Sequence, residues 1–308
     1  MNKKIAVIGA GNVGASCALY LAEANFADVV LVDIVDGIPQ GKALDLTQAG
    51  PVRGYNATVT GSSDYKDIAG ADIVVMTAGL ARKPGMTRED LLTKNAEIVG
   101  MAAENIKKYA PNSFVLVVSN PLDLMTFHMQ KKTGFPTNRV FGQAGVLDSI
   151  RFRAFIAMEL GVAQTDVQAM VLGGHGDTMV PLPRYTTVAG IPISELISAE
   201  RIKAICDRTA DGGGEIVRLL KTGSAFYAPA AASVDMVRSR FNDEKRVLAA
   251  ASMLTGQFGI KDIYIGAPVV IGAKGIEKVI EIKLDKDELA ALQKSAATYK
   301  EHLKILGY

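Results

Sequence analysis

The opening stretch of the chain constrains its fold more than any other. Residues 5–22 carry no charge over 18 positions, behind Lys3 and Lys4 and ahead of Glu23. A run of that length imitates a secretory signal or a membrane span. Its composition argues against both, because Gly9, Gly11 and Gly14, with Asn12 and Ser16, interrupt it and leave few large apolar side chains to favour lipid. The glycines make sense in another way. Gly9-Ala10-Gly11-Asn12-Val13-Gly14 follows a β-branched run at 4–8 and precedes a helical pattern, so it reads as a tight strand-to-helix turn.

In such a turn the first glycine permits the sharp bend, the second lets backbone N–H groups approach a pyrophosphate, and the third lets helix and strand pack closely. The helix N-terminus adds unpaired donors and partial positive charge. Asp33 ends the second predicted strand, 19 residues past Gly14, where a carboxylate can accept hydrogen bonds from adenosine ribose hydroxyls. An acid there repels a 2′-phosphate, so NAD is favoured over NADP. The same motif could be a glycine turn that only packs a helix on a sheet, and alone it does not separate a dehydrogenase from an NAD-sensing regulator.

The rest of the first half supports the first reading. Strands are predicted at 4–8, 29–33, 57–60, 72–78, 113–119 and 139–142, several of them apolar at consecutive positions, as when helices cover both faces of a parallel sheet. The expectation is an α/β fold: a doubly wound parallel sheet (Rossmann) as an NAD-binding domain over 1–144, and a second, α+β catalytic domain over 145–308. At about 150 residues per domain, 308 residues allow two. Thr87 is expected to cap a long helix, with Glu89 and Asp90 in its first turn and Lys107-Lys108 in its last. Farther on, strands are expected at 167–172 and 269–271. Asp211-Gly212-Gly213-Gly214 is expected to break a helical pattern that starts at Ala199. An amphipathic helix is expected from about Asp285, with Leu289, Leu292 and Leu303 on its apolar stripe. No linker marks the boundary near 145, so the two domains should share a firm interface.

Charge and cysteine content narrow the partners. With 34 Lys+Arg against 32 Asp+Glu, a net charge of +2 lacks the concentrated basic surface that nucleic acid requires. Cys17 and Cys206 are too few and too far apart for a disulfide framework or a local metal knuckle. A cytoplasmic protein acting on a small molecule, with no metal, membrane or nucleic acid, is the expectation.

Chemistry is suggested at three places. His175 lies in Gly173-Gly174-His175-Gly176-Asp177, where flanking glycines would let a substrate approach the imidazole; most single histidines are merely satisfied surface or core groups, and the glycines favour a catalytic role. Asp148 and Arg151 are three apart, on one face if helical, and form either a plain intrahelical pair or a pair facing the cleft where a doubly wound sheet binds its ligand. The glycine- and proline-containing segment 79–88 carries Arg82 and Arg88, and spacing alone does not reject solvated surface charge there.

At these residues the sequence resembles the lactate/malate dehydrogenase family, within it the malate dehydrogenases of the lactate dehydrogenase-like type. The resemblance covers essentially the whole chain: the Gly9–Gly14 turn, Asp33, the segment from Thr77 to Arg88, Val118-Ser119-Asn120-Pro121, Leu147-Asp148 with Ser149-Ile150-Arg151, the His175 loop, and Lys221-Thr222-Gly223-Ser224-Ala225. It implies His175 as the proton-transfer residue and Asp148 as the carboxylate that orients it. It implies Arg151 on the substrate C1 carboxylate, Arg88 polarising the reacting carbonyl, and Asn120 near the substrate oxygen and the nicotinamide. Gly9, Gly11, Asn12, Val13, Gly14, Asp33, Asn95, Val118 and Asn120 fall at cofactor-binding positions. Arg82 falls at the substrate-selecting position, where malate dehydrogenases place arginine and lactate dehydrogenases usually a neutral glutamine; Ser224, small where lactate dehydrogenases commonly have threonine, leaves room for a longer substrate. The implied protein interconverts (S)-malate and oxaloacetate with NAD, as a homodimer or homotetramer. A lactate or other 2-hydroxyacid dehydrogenase, and a non-catalytic NAD sensor, are the alternatives.

Overall fold

The computed structural model describes residues 3–80 and 87–308, with Arg88 described by its backbone alone. The first half alternates strand and helix in the order β1 (Lys4–Ile8), α1 (Asn12–Ala24), β2 (Asp28–Val32), α2 (Ile38–Arg53), β3 (Val59–Ser62), β4 (Ile73–Met76), α3 (Arg88–Tyr109), β5 (Phe114–Val117), α4 (Leu122–Thr133) and β6 (Val140–Gly142). The second half continues through α5 (Gly145–Leu160), β7 (Val167–Gln168), β8 (Val171–Gly173), β9 (Met179–Pro181), β10 (Thr187–Val188), β11 (Ile191–Pro192), α6 (Ala199–Leu220), α7 (Tyr227–Phe241), β12 (Arg246–Thr255), β13 (Lys261–Gly272), β14 (Gly275–Val279) and α8 (Lys286–Ile305).

Six strands in the order β3-β2-β1-β4-β5-β6 form a parallel sheet. Their consecutive apolar residues are buried on both faces because each face has its own layer of helices. Ala6, Ile8, Val74, Met76, Val115 and Val117 pack toward α3 and α4. Ile5, Val7, Ile73, Val75 and Leu116 pack toward α1 and α7. The sheet crosses directly into the second half. β6 pairs in parallel with β5 and antiparallel with β12, through Ala251 and Gly142, and β12-β13-β8-β9 extend the same sheet.

Small residues make that junction possible. A Cβ at Gly142 would lie 2.5 Å from Thr126 Oγ1 and 3.0 Å from Ala251 Cβ, one at Gly145 2.2 Å from the Val171 carbonyl, and one at Gly266 2.6 Å from the Gly173 carbonyl. α5 therefore begins pressed onto β8, which brings its first turn to the loop that follows that strand.

Thr87 caps α3, its Oγ1 accepting the Asp90 N–H at 3.0 Å while the Asp90 carboxylate accepts the Thr87 N–H at 3.0 Å. α8 starts from a similar box at Asp285 and Glu288, and its Leu292 and Leu303 are buried in the core shared with α3 and α4. Two expectations need correction. Residues 167–172 form two strands instead of one: β7 joins a small sheet with β10 and β11, and β8 joins the main sheet. The glycine triplet at 212–214 does not break α6, which runs unbroken from Ala199 to Leu220. Gly212 and Gly213 let its backbone lie against Arg151 and Phe155, where a Cβ on Gly212 would sit 3.3 Å from Arg151 Cδ. Bidentate pairs Arg208–Glu215 and Arg218–Asp211 span the triplet. The backbone entropy that glycine costs a helix is thus offset by contacts that a Cβ would obstruct.

At the first crossover a Cβ on Gly14 would fall 1.8 Å from the Gly9 carbonyl oxygen, so turn and helix cannot absorb it without separating. Gly14→Ala is expected to lower the unfolding free energy by about 3 kcal/mol, read from urea denaturation. Stability within about 0.5 kcal/mol of wild type, a change no larger than that of an ordinary surface substitution, would show that the turn relaxes freely.

Candidate active site

Asp148 stands in the first turn of α5 and is 1% exposed. One carboxylate oxygen lies 2.9 Å from His175 Nδ1 and the other 3.4 Å from Arg151 Nη1. The intrahelical pair and the histidine, distant in sequence, are thus one continuous chain of charge. Arg151 Nε is buried with no partner among the described residues, and the guanidinium rests against Gly213 of α6.

Burial alone would depress the His175 imidazole. The charge and hydrogen bond of Asp148 more than offset that, with help from Asp123 and opposition from Arg151, so the group titrates above its ordinary value. Burial likewise lowers the Arg151 guanidinium, and Asp148 counters it. Because His175 is fixed through Nδ1, Nε2 is the ring nitrogen left for proton exchange.

Three positioning contacts were not foreseen. Asp123 in α4 is fully buried, and its Oδ2 accepts the His175 N–H at 2.8 Å while Oδ1 has no partner among the described residues. Burial pushes this carboxyl up to about 7, against the lowering effects of the His175 N–H and imidazole. Tyr299 of α8 donates its hydroxyl to the His175 carbonyl at 2.9 Å. Ser295 of the same helix accepts the Gly174 N–H at 3.0 Å. The space beside Gly174 belongs to Tyr299, whose ring would lie 2.0 Å from a Cβ there, so that glycine admits a supporting helix instead of a substrate. An Asp in a first helical turn normally signals only dipole compensation, and nothing local in the sequence ties it or α8 to the histidine.

His175 and Asn120 line a cleft of about 510 Å³ whose other walls include Leu92 of α3, Leu124 of α4, and Thr298, Tyr299 and His302 of α8. Asn120 is exposed at the cleft, just past Val118, which follows β5 and is buried. Asn95, only 1% exposed, uses its amide on the protein itself: Oδ1 accepts the Leu80 N–H at 2.7 Å, and Nδ2 donates to the Leu80 and Asn120 carbonyls at 3.1 and 2.7 Å. It braces the wall that carries Asn120. Arg82 lies outside the described residues. Arg88 is the first residue of α3, and its side chain is outside them too.

The glycine turn fits a dinucleotide. Gly9 has φ +101°, Gly11 faces open space where a Cβ would protrude, and no side chain caps α1, which leaves the N–H groups at Asn12, Val13 and Gly14 without intrahelical acceptors. The carboxylate of Asp33 accepts from the Ala10 and Val35 N–H groups at 2.6 and 3.1 Å. It keeps lone pairs for ribose hydroxyls, since a carboxylate offers about four acceptor positions.

Fold and site together define an NAD-dependent oxidoreductase. The lactate/malate dehydrogenase NAD-binding domain matches residues 3–142, and the alpha/beta C-terminal domain of the same family matches residues 145–306. A protein named malate dehydrogenase from Thermomicrobium roseum is 58% identical over 306 residues, covering 99% of each chain. The crystal structure of Cryptosporidium parvum malate dehydrogenase superposes with a TM-score of 0.97 at 47% identity, covering 100% of this chain and 99% of that one. The lactate dehydrogenase of the same organism, complexed with lactic acid and nicotinamide adenine dinucleotide, gives 0.96 at 44% identity, covering 100% and 98%. The chain belongs to the lactate/malate dehydrogenase family.

Since Asp148 raises His175, the folded state holds the imidazole proton more tightly than the unfolded one. The pair contributes stability below the unfolded pKa and loses it as pH rises through the higher folded value. An NMR titration of the His175 ring, assigned with His175→Gln, should show a midpoint above the ordinary histidine value that drops below it in Asp148→Asn. An unmoved midpoint in Asp148→Asn would remove Asp148 as the cause.

Proposed function

We propose that the protein is an NAD-dependent malate dehydrogenase that interconverts (S)-malate and oxaloacetate, with the cofactor turn and Asp33 in residues 1–144 and the proton-transfer site in residues 145–308. NAD, when bound, exchanges a hydride with the substrate carbon. As negative charge develops on the carbonyl oxygen, His175 donates a proton from Nε2, and in the reverse direction it takes one back. Asp148 holds the other ring nitrogen and stabilises the imidazolium. Arg151, anchored at one edge by Asp148, offers its remaining N–H groups to the C1 carboxylate in a two-point contact that orients the substrate. Asn120 hydrogen-bonds near the substrate oxygen, and Arg88 polarises it.

The observation that carries the dicarboxylate reading is the arginine at position 82, and the names of the similar proteins support it. Enclosing a second substrate carboxylate without a partner would cost about 3–5 kcal/mol, a discrimination of roughly a hundredfold or more. A cytoplasmic homodimer or homotetramer, serving the tricarboxylic acid cycle, completes the reading.

Steady-state rates at matched NADH test the substrate: kcat/KM for oxaloacetate should exceed that for pyruvate by about a hundredfold or more, and a preference for pyruvate would overturn the proposal. Arg82→Gln should depress oxaloacetate turnover far more than pyruvate turnover, whereas equal losses would show that Arg82 does not select. His175→Asn should abolish turnover while NADH affinity, read by fluorescence, stays within about threefold, a change worth less than 1 kcal/mol. A large loss of NADH binding would contradict its assignment to proton transfer.

A further inference from the structure

The Gly9–Gly14 turn is held in place by side chains from outside it. Thr77 Oγ1 donates to the Gly9 carbonyl at 3.1 Å, the Asp33 carboxylate accepts the Ala10 N–H at 2.6 Å, and Lys42 Nζ donates to the Ala10 carbonyl at 2.6 Å. Lys42 comes from α2, a helix packed on β3, and is half-buried.

A trans peptide unit is planar, and its C=O and N–H point in opposite directions. The Ala10 carbonyl and the Gly11 N–H belong to one such unit. Drawing the carbonyl toward Lys42 therefore turns the Gly11 N–H away from α2. It also neutralises a lone pair that would repel a phosphate oxygen if the unit rotated. An ammonium donor makes this a charge-assisted bond, about twice as strong as a neutral one.

We propose that Lys42 is a positioning residue for the cofactor: by anchoring the Ala10 carbonyl it presents the Gly11 N–H to the diphosphate, so the turn reaches its anion-binding shape before the ligand arrives. The inference rests on the turn holding the NAD diphosphate. Asp33 fixes the preceding peptide unit in the same way, through the Ala10 N–H, and Lys42 fixes the next one through the Ala10 carbonyl. Preorganisation of this kind raises affinity by lowering the ordering cost of binding.

The test measures binding without turnover. Lys42→Met keeps the length of the side chain and removes the donor. NADH fluorescence, with ADP-ribose and adenosine as competitors, should show NADH and ADP-ribose, which contain the diphosphate, bound about tenfold more weakly, with adenosine unchanged. Lys42→Arg should recover most of the loss, and kcat with saturating NADH should stay within about twofold of wild type, because no reacting group has moved. The deficit should persist between about 0.05 and about 0.5 M salt, since a close hydrogen bond is screened far less than exposed charges. Equal weakening of adenosine, or a deficit that vanishes at high salt, would assign Lys42 to the adenine side or to long-range attraction and overturn the proposal. Unchanged diphosphate binding in a Lys42→Met variant with wild-type Tm would overturn it too. Failure of the underlying cofactor reading looks different, because the wild-type chain itself would then not bind NADH.

Discussion

A single buried carboxylate organises this molecule. Asp148 spends one oxygen on His175 and the other on Arg151, so one negative charge holds the imidazole and the guanidinium at the same time. Removing such a group from water is costly unless both oxygens find partners, and here both do. The arrangement also explains why α5 is pressed so closely onto β8 at Gly145. A wider spacing would leave the carboxylate buried and the histidine out of reach.

Around that carboxylate, support comes from parts of the chain that share no local sequence. Asp123 of α4 and Tyr299 of α8 bind the two ends of the His175 backbone, fixing the loop, while Asp148 fixes the ring. A histidine with backbone and side chain both restrained has little conformational freedom left to lose. Asn95 does the same for the opposite wall, tying the residues after β4 to those after β5.

Much of this was legible in the sequence, for physical reasons that also define where legibility ended. The first crossover could be read because glycine spacing and a strand-end acid are local demands of phosphate and ribose. The cap of α3 was readable for a similar reason, since Thr87 and Asp90 satisfy each other within one turn. The long pair β12 and β13 was only partly recovered, at 269–271: β12 is rich in alanine and lacks the β-branched alternation that marks a strand, and its place in the centre of the sheet comes from pairing partners far away in sequence. α6 was misjudged because glycine's local preference was overridden by packing on Arg151. Asp123, Tyr299 and Ser295 escaped because their importance lies entirely in contacts across more than 50 residues.

The glycine junction between the halves has a consequence for how this fold can diversify. Gly142, Gly145 and Gly266 leave no room for side chains where β6, α5, β8, β12 and β13 converge, so the two halves are joined by backbone fitted against backbone. N-terminal and C-terminal halves from different relatives could be recombined only if both sides of that seam travelled together. A crossover placed in the two residues between β6 and α5, where the chain passes from one half to the other, would separate Gly142 from the Ala251 it was fitted to. Single residues away from that seam can change freely, but exchange of whole halves is constrained by a strip of missing methyl groups.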